Sequence, residues 1–227
     1  MCFSPEADLV GGVVVGAIGL DVLVHARGMK GYGPLAALPL LFAGHQLVEA
    51  VLWWDARGPP LGRVGVAALW AYLLVAFVLL PTYVPWAIRC IEPPGSRRRV
   101  MSALTGAGSL VSAALLIAML VGPVTVEPRA WHLVYGTSLR AGGLVVTAYV
   151  VVTCGALILS GQRQIMWFGA VNLAAVGVIA VLTVDGFISL WCAWAAVTSA
   201  AFAAYFRCAG RPVGETAAPH AETRDLP

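Results

Sequence analysis

The sequence predicts an all-α protein, a bundle of seven transmembrane helices. Of its 227 residues, 60% are hydrophobic and only 11% are charged, and the mean hydropathy is +0.86. A soluble domain carries about 25% charged residues. Seven apolar runs have roughly the 20 residues that cross a bilayer as a helix. They lie near residues 7–25, 34–54, 64–88, 100–121, 132–159, 165–184 and 187–207.

The segments between these runs hold the Gly, Pro and polar residues that end helices and form turns. They read GMKGYGP, DARGPPLG, EPPGSRRR, VGPVTVEPRA and SGQRQ. Residues 183–186 are too few for a loop and predict a tight turn, with Asp185 placed to cap the last helix. The polar segment at residues 210–227 predicts a disordered tail. Residues 1–209 are then the seven-helix transmembrane domain.

Lys and Arg concentrate on one side of the predicted bundle, in the first, third and fifth loops and the tail. That side holds Arg27, Lys30, Arg89, Arg97, Arg98, Arg99, Arg163, Arg207 and Arg211, and the other side holds Arg57, Arg63 and Arg129. Cytoplasmic loops carry the excess of Lys and Arg. The sequence therefore predicts an N-terminus outside and a C-terminus in the cytoplasm. Because the basic residues are scattered and the net charge is only +3, we expect no nucleic-acid partner.

The second apolar run carries ionisable residues within the segment GHQLVEAVLWW, residues 44–54. Spacings of three and four residues place one set of side chains on a single helical face. The set is Phe42, His45, Glu49 and Trp53. In the predicted orientation His45 lies near the middle of the membrane and Glu49 one turn further out. An ionisable residue at this depth costs at least about 2.5–3.5 kcal/mol to insert, so we expect this face to point into the bundle.

Further polar and aromatic residues gather in the same outer half of the predicted bundle. Asp185 supplies a second acid, and Arg140 lies about two turns into the fifth run. The aromatic residues there include Trp53, Tyr72, Tyr135, Phe187, Trp191 and Trp194. Trp and Tyr also collect at membrane interfaces in any membrane protein, which accounts for Trp54, Trp70 and Trp131. The other aromatic residues predict the walls of a pocket.

Acids surrounded by aromatic rings favour the chemistry of carbocations. A carboxyl group in apolar surroundings keeps its proton and can donate it. Aromatic faces stabilise cations, by about 2 kcal/mol or more in a dry site. The proton-initiated cyclisation of a prenyl chain requires both properties. We therefore expect a membrane terpene cyclase whose lipid-like prenylated substrate arrives from the bilayer, and we expect no metal and no other cofactor.

The expected roles follow from these positions. Glu49 or Asp185 is the general acid, and His45, one turn from Glu49, orients that acid or shares its proton. The substrate is expected to contact Trp53, Tyr72, Phe42, Tyr135, Phe187, Trp191, Trp194 and Arg140.

Two resemblances add to this interpretation. The stretches MCFSPEADLVGG and PLAALPLLFAGHQLVEAVLWW are similar to an uncharacterised family of bacterial multi-pass proteins that begin Met-Cys-Phe-Ser and carry a His-Gln-x-x-Glu second helix. This resemblance covers residues 1–54, implies the bacterial cytoplasmic membrane and brings no function with it.

The second resemblance concerns layout. The size, the seven runs and the positions of Glu49 and Asp185 resemble the integral-membrane terpene cyclases of fungal meroterpenoid and bacterial indole-terpenoid pathways. The resemblance implies that the two acids start a cation cascade by protonating an alkene or an epoxide. This sequence lacks an Asp-rich diphosphate-binding motif, which argues against a synthase that ionises a diphosphate.

Functions of other classes are also compatible with the sequence. A metal or haem protein could use Cys2, His45, His132 and Glu49 as ligands, although no HxxxH or HxxE pair occurs. A proton-coupled transporter or sensor could use Glu49 and Asp185 as relay groups, although no inverted repeat is visible. A retinal protein is disfavoured because Lys30, in a loop, is the sole lysine, and no Schiff base can form within the seventh span.

The same polar residues also have purely structural interpretations. His45, Gln46 and Glu49 would then hydrogen-bond neighbouring helices. Asp185 would only cap a helix, and Arg140 would pair with Glu49 or extend toward the interface. The sequence leaves open which acid donates, the chain length and head group of the substrate, and the oligomeric state.

Overall fold

The computed structural model of the protein describes residues 4–58, 61–129, 132–137, 142–182 and 187–209. It is mostly helical, as predicted, and it adds one β-hairpin. The helical elements are α1 (Pro5–His25), α2 (Gly33–Ala36), α3 (Leu38–Asp55), α4 (Arg63–Leu73), a π-helical segment (Leu74–Leu79), α5 (Leu80–Ile91), α6 (Ser96–Val121), α7 (Gly142–Ile158), α8 (Arg163–Leu182) and α9 (Phe187–Ala209). The antiparallel strands are β1 (Val124–Pro128) and β2 (Leu133–Thr137).

Within the described ranges, five helices are long and apolar enough to cross a membrane. They are Pro5–His25, Gly33–Asp55, Arg63–Ile91, Ser96–Val121 and Arg163–Val181. Each coincides with a predicted run, and α7 adds a shorter apolar helix. Large apolar side chains cover the outside of these helices, and Val181 is 87% exposed. Such a surface suits lipid rather than water.

At residues 133–137 the prediction of a helix is wrong. These residues form β2, and α7 begins only at Gly142. The segments VTVEP and LVYGT are rich in Val, Thr and Tyr, whose branched and aromatic side chains favour the pleated surface of a strand. A count of apolar residues does not distinguish these strand residues from the helix that follows. The fifth run was therefore predicted to start at residue 132, before the start of α7.

Helices α1 and α3 pack against each other along a seam of glycines on α1. A Cβ atom on Gly12 would lie 2.7 Å from Leu47 Cδ2, and one on Gly19 would lie 2.9 Å from the backbone nitrogen of Leu40. Small residues allow helices in membranes to approach this closely. Because Gly12 faces Leu47 and Gly19 faces Leu40, the helices are antiparallel, and the start of α1 lies beside the C-terminal half of α3.

The third predicted run forms α4, the π-helical segment and α5 in succession, and Pro81 accounts for the π-helical turn. The Leu80 N–H donates to the Val75 carbonyl, five residues back. In this register the Ala76 carbonyl would accept from the N–H at position 81, which proline lacks. The hydroxyl of Tyr149 on α7 donates to the Ala76 oxygen instead, at 2.8 Å. A side chain of a neighbouring helix thus satisfies a backbone acceptor at membrane depth.

Buried apolar side chains form two main clusters, one toward each end of the bundle. The larger cluster joins helices from α1 to α9 and includes Ile88, Met101 and Phe206. The second, named here the Tyr72 cluster, consists of Leu52, Trp53, Ala68, Leu69, Tyr72, Leu73, Met119 and Leu133. It joins the C-terminal half of α3 to α4, the end of α6 and the hairpin, and it adjoins the polar residues of α3.

Substitution of Gly108 by Ala should loosen the packing of α6 against α5. A Cβ atom at this position would overlap the backbone carbonyl of Pro81, and overpacking of this kind costs about 1–3 kcal/mol. Gly106 on the same helix has open space around it. Gly106→Ala is therefore the matched control, and thermal unfolding in detergent measures both. Equal stability of the two variants would contradict the close approach at Gly108.

Tyr149→Phe should lower the free energy of unfolding by about 1–3 kcal/mol, because the Ala76 carbonyl loses its donor. Pro81→Ala restores a backbone N–H that can donate to the same carbonyl. The loss caused by Tyr149→Phe should therefore be smaller in the Pro81→Ala background. A double-mutant cycle in denaturant measures this coupling, and strictly additive effects would show that the two donors do not substitute for each other.

Candidate functional site

The Glu49 side chain lies in the interior of the bundle, beside the Tyr72 cluster. It is 0% exposed, and the hydroxyl of Tyr135 donates a hydrogen bond to its Oε1 atom at 3.1 Å. Tyr135 belongs to β2, two residues after the fully buried Leu133, so both side chains point to the same face of the strand. The hairpin, at the end of the bundle, thus places the phenol of Tyr135 against the carboxyl group of Glu49 on α3.

Three aromatic rings from three elements form a column next to this acid. The rings of His45 and Tyr72 stack with centroids 3.8 Å apart and planes 16° apart. Tyr72 and Tyr135 stack with centroids 4.7 Å apart and planes 14° apart. The nearly parallel planes place Tyr72 between the other two rings. The column links α3, α4 and β2 and ends at the tyrosine that binds Glu49.

His45 is buried one turn before Glu49, as predicted, but it forms no hydrogen bond to Glu49 among the described residues. Within the described part of the chain, its Nδ1 atom is buried without a hydrogen-bond partner, as are Trp53 Nε1 and His132 Nε2. The contact to Glu49 that was expected from His45 comes from Tyr135. The contact of His45 with the site is its stacking on the Tyr72 ring.

Asp8 is a second buried acid, and sequence reasoning missed it. It is 0% exposed and lies on α1 one turn before Gly12, on the side that packs against α3. Gln46, also buried, lies on the same side of α3 as Ala43, whose carbonyl faces Gly12. Asp8 could have been found from its helical spacing, because it precedes Gly12 by four residues and so lies on the face that also carries Gly19. Because Asp8 is near the N-terminus, it was interpreted as a residue flanking the first span.

Two residues predicted for the same pocket lie elsewhere. Phe42 packs against Val15 and Ala43 on the α1 side of α3. Trp194 on α9 donates its Nε1 proton to Oδ1 of Asn172 on α8, at 2.9 Å. Trp194 also lines a cavity of about 690 Å³ whose described lining comes from α2, α8 and α9. The predicted single pocket is therefore divided between two regions of the described structure.

Several predictions fall outside what the structure describes. Asp185 and Arg140 lie outside the described residues, as do Cys2 and the tail at 210–227. The side chains of Phe187 and Trp191 also lie outside them, although the α9 backbone is described. The predicted residues that the structure brings together are His45, Glu49, Trp53, Tyr72 and Tyr135.

The described site offers a buried carboxyl group, a phenol that donates to it, and aromatic rings beside it. A carboxyl group in such surroundings can exchange a proton with a bound molecule while bulk water is excluded. No group of three or more His, Cys, Asp or Glu residues in the described part of the chain lies close enough to hold a metal ion.

No curated protein and no solved structure matches this chain significantly. A family profile matches residues 1–218, a range that contains every described helix and both strands. The family carries no assigned activity, so the match adds no chemistry. By this match the chain belongs to the family of unknown function DUF6629.

Proposed function

We propose that the protein is a membrane-embedded terpene cyclase in which Glu49 protonates a prenyl chain and starts its cyclisation. The observation that carries the proposal is the hydrogen bond from Tyr135 to the fully buried Glu49. The substrate is a lipid-like prenylated molecule that enters from the bilayer, and the reaction needs no metal or other cofactor.

Each bond that forms in the proposed reaction is matched by a bond that breaks. The O–H bond of neutral Glu49 breaks, and the electron pair of an alkene forms a C–H bond, which leaves a carbocation on the other alkene carbon. Attack by further double bonds closes rings and moves the cation along the chain. Loss of a proton from the carbon beside the last cation forms a double bond and returns the proton to Glu49. The product is therefore an isomer of the substrate.

Tyr135 supports this step because a carboxylic acid alone is a weak donor to an alkene. Its hydroxyl donates to Oε1, and a hydrogen bond to a carboxylate stabilises the charged form. The bond therefore strengthens as the proton leaves. In this proposal Tyr135 is the partner of the acid, the role that sequence reasoning gave to His45.

The aromatic rings have unequal roles in this proposal. Tyr72 lies between His45 and Tyr135 and has both faces covered, so it holds the other two rings in place. The outer face of Tyr135 and the indole of Trp53 supply π-faces for a cation. Phe187, Trp191 and Arg140 as substrate contacts, and Asp185 as a second acid, stay predictions from the sequence, because they lie outside the described residues and side chains.

The proposed topology has seven spans, with α7 and α9 added to the five candidates. Its N-terminus is outside and its C-terminus is in the cytoplasm of a bacterial cell. The basic residues at the end of the bundle opposite Glu49 support this orientation. They include Arg27, Lys30, Arg89, Arg97, Arg98 and Arg99. Glu49 then lies in the outer half of the membrane.

A proton-coupled transporter or sensor is the second candidate, and buried Asp8 favours it. Asp8 and Glu49 are both fully buried on the neighbouring helices α1 and α3. Intramembrane acids of this kind often form proton relays. Proton uptake by liposomes containing the protein, abolished by Asp8→Asn, would favour this candidate over the cyclase.

Glu49→Gln should reduce turnover by about 10²- to 10⁴-fold, the usual contribution of a general acid, because the amide has no carboxyl proton to donate. We expect the same of Asp185→Asn. The assay incubates membranes with prenylated acceptors and seeks an isomer of unchanged mass by mass spectrometry.

Glu127→Gln is the matched control, since Glu127 lies on the hairpin with a side chain that is 65% exposed, and it should retain full activity. Full activity of folded Glu49→Gln and Asp185→Asn proteins would end the cyclase proposal.

Tyr135→Phe keeps the ring and removes the hydroxyl, so it should lower kcat by about 10- to 100-fold with little change in KM, given the usual strength of a hydrogen bond to a charged group. Tyr83→Phe is the control, because the Tyr83 hydroxyl donates to the Pro34 carbonyl away from the site. That variant should lose stability and keep kcat. Equal kcat values for the two variants would remove Tyr135 from the mechanism.

A further inference from the structure

The cavity of about 690 Å³ that Trp194 lines is a groove between α8 and α9, named here the α8–α9 groove. Ligand pockets in proteins commonly have volumes of about 300–1,000 Å³. Phe168 of α8 and Phe202 of α9 meet edge to face in its lining, with ring centroids 4.8 Å apart. Fully buried Leu35 of α2 also lines the groove. The inner side of the groove is therefore apolar and closed by packed side chains.

The outer side of the groove opens toward the bilayer. Trp167 of α8 is 60% exposed and Val197 of α9 is 63% exposed, and both line the groove. The exposed lining residues of α9 are Val197, Ala201, Ala204 and Cys208. Their spacings of three and four residues place them on one helical face. A lipid can therefore enter the groove from the side, without passing through the core of the bundle.

The length of the groove matches one leaflet of a membrane. Its lining on α9 extends from Trp194 to Cys208, a rise of about 21 Å at 1.5 Å per residue. Half of the hydrocarbon core with one headgroup region measures about 20–22 Å. A compact ligand would leave most of this length empty. An extended hydrocarbon chain, lying parallel to the neighbouring lipids, fills it.

One end of the groove lies at the basic end of the bundle. Gln164 and Cys208 both line the groove, so this end lies beside the start of α8. The loop before α8 contacts the loop after α5 there, because the Ser160 hydroxyl and the Gly161 N–H donate to Oε1 of Glu92 at 2.8 Å and 2.7 Å. In the proposed topology this end is cytoplasmic, and the cytoplasmic leaflet carries anionic lipids.

Two exposed arginines lie at this end. Arg163 precedes Trp167 by four residues and so shares the face of α8 that lines the groove. Arg97 Nη1 lies 3.1 Å from the point that a Cβ atom on Gly161 would occupy. The described lining of the groove contains no Asp and no Glu, and nearby Glu92 already accepts two hydrogen bonds. An anionic group therefore fits this end, and an apolar chain fits the rest.

We propose that the α8–α9 groove binds an acyl chain of an anionic phospholipid, whose phosphate is held by Arg163 with help from Arg97. This site goes beyond the proposed function and does not depend on chemistry at Glu49. It also assigns a role to Trp194 at the deep end of the groove. Because the Trp194 N–H donates to Asn172, the indole presents only apolar surface to the chain.

Native mass spectrometry of the purified full chain in detergent measures the binding of two lipids that carry the same oleoyl chains. Dioleoyl phosphatidylglycerol has an anionic head, and dioleoyl phosphatidylcholine has a zwitterionic head. We expect the first to bind about 5- to 25-fold more tightly, since one arginine near the headgroups contributes about 5-fold. Equal Kd values would overturn the proposal. Inorganic phosphate that binds as tightly as phosphatidylglycerol would also overturn it, because the site would then recognise phosphate without a lipid.

Arg163→Gln should raise the Kd of phosphatidylglycerol about 5-fold and leave that of phosphatidylcholine unchanged. Arg99→Gln is the matched control, because it removes the same charge at the same end of the bundle. Arg99 precedes Leu110 by three helical turns and so lies on the outer face of α6, where Leu110 is 74% exposed. Equal effects of the two variants would show only a general attraction of lipid to positive charge, and the assigned phosphate site would be wrong.

Ala201→Phe tests the chain site, and Ala200→Phe is its control. Both alanines are exposed on α9, so neither change disturbs the core, but only Ala201 lines the groove. Ala201→Phe should raise the Kd of both lipids about 10-fold, within the usual cost of overfilling a packed space, and Ala200→Phe should raise neither. Equal effects of the two variants would refute the groove as the chain site. Lipid-free dimers that Ala201→Phe converts to monomers would show that a second copy covers the groove, and would refute the lipid.

Discussion

The hydrogen bond between Tyr135 and Glu49 is the interaction on which this end of the protein depends. A polar group moved from water into an apolar interior without a hydrogen bond costs several kcal/mol, and lipid chains offer no donor. Tyr135 supplies the donor at 3.1 Å. It can do so because the hairpin returns the chain over the bundle after α6 and because Tyr72 stacks on its ring. The hairpin, α3 and α4 are therefore organised around one acid.

The acid also lies on the helix that can bury it best. In its most apolar window, 56% of the Gly33–Asp55 span is buried, compared with 28% of Arg163–Val181 and 33% of Pro5–His25. A carboxyl group placed at random on α8 would usually face lipid. On α3 it faces Tyr135 and the neighbouring Tyr72 cluster, while the Leu40 and Leu47 face of the same helix packs against the glycines of α1. Close packing at Gly12 and burial of Glu49 are two consequences of the same central position.

The sequence predicted the helices from the length of their apolar runs and the polar face of α3 from its helical spacing. A run of apolar residues needs only length to cross a membrane, and spacings of three and four residues place His45, Glu49 and Trp53 on one face. The hairpin was missed because Val and Tyr are apolar in a hydropathy count whether they form a helix or a strand. Asp8 was missed because burial depends on which helix lies opposite, and that is a tertiary property.

The predicted depth of a residue in the membrane was also not enough to predict which residues share a pocket. Orientation and residue number place Trp53 and Trp194 in the same outer half, but depth carries no information about direction around the bundle. The structure places the two indoles in separate regions, with Trp53 in the Tyr72 cluster and Trp194 between α8 and α9.

Their hydrogen bonds distinguish the two indoles further. Trp194 Nε1 is satisfied by the side chain of Asn172, so its polar atom is fully used by the protein. Among the described residues, Trp53 Nε1 is buried with no hydrogen-bond partner, and Trp53 lies one turn from Glu49, which accepts a hydrogen bond from Tyr135. The hydrogen bonds, more than the density of aromatic residues, therefore distinguish the two tryptophans.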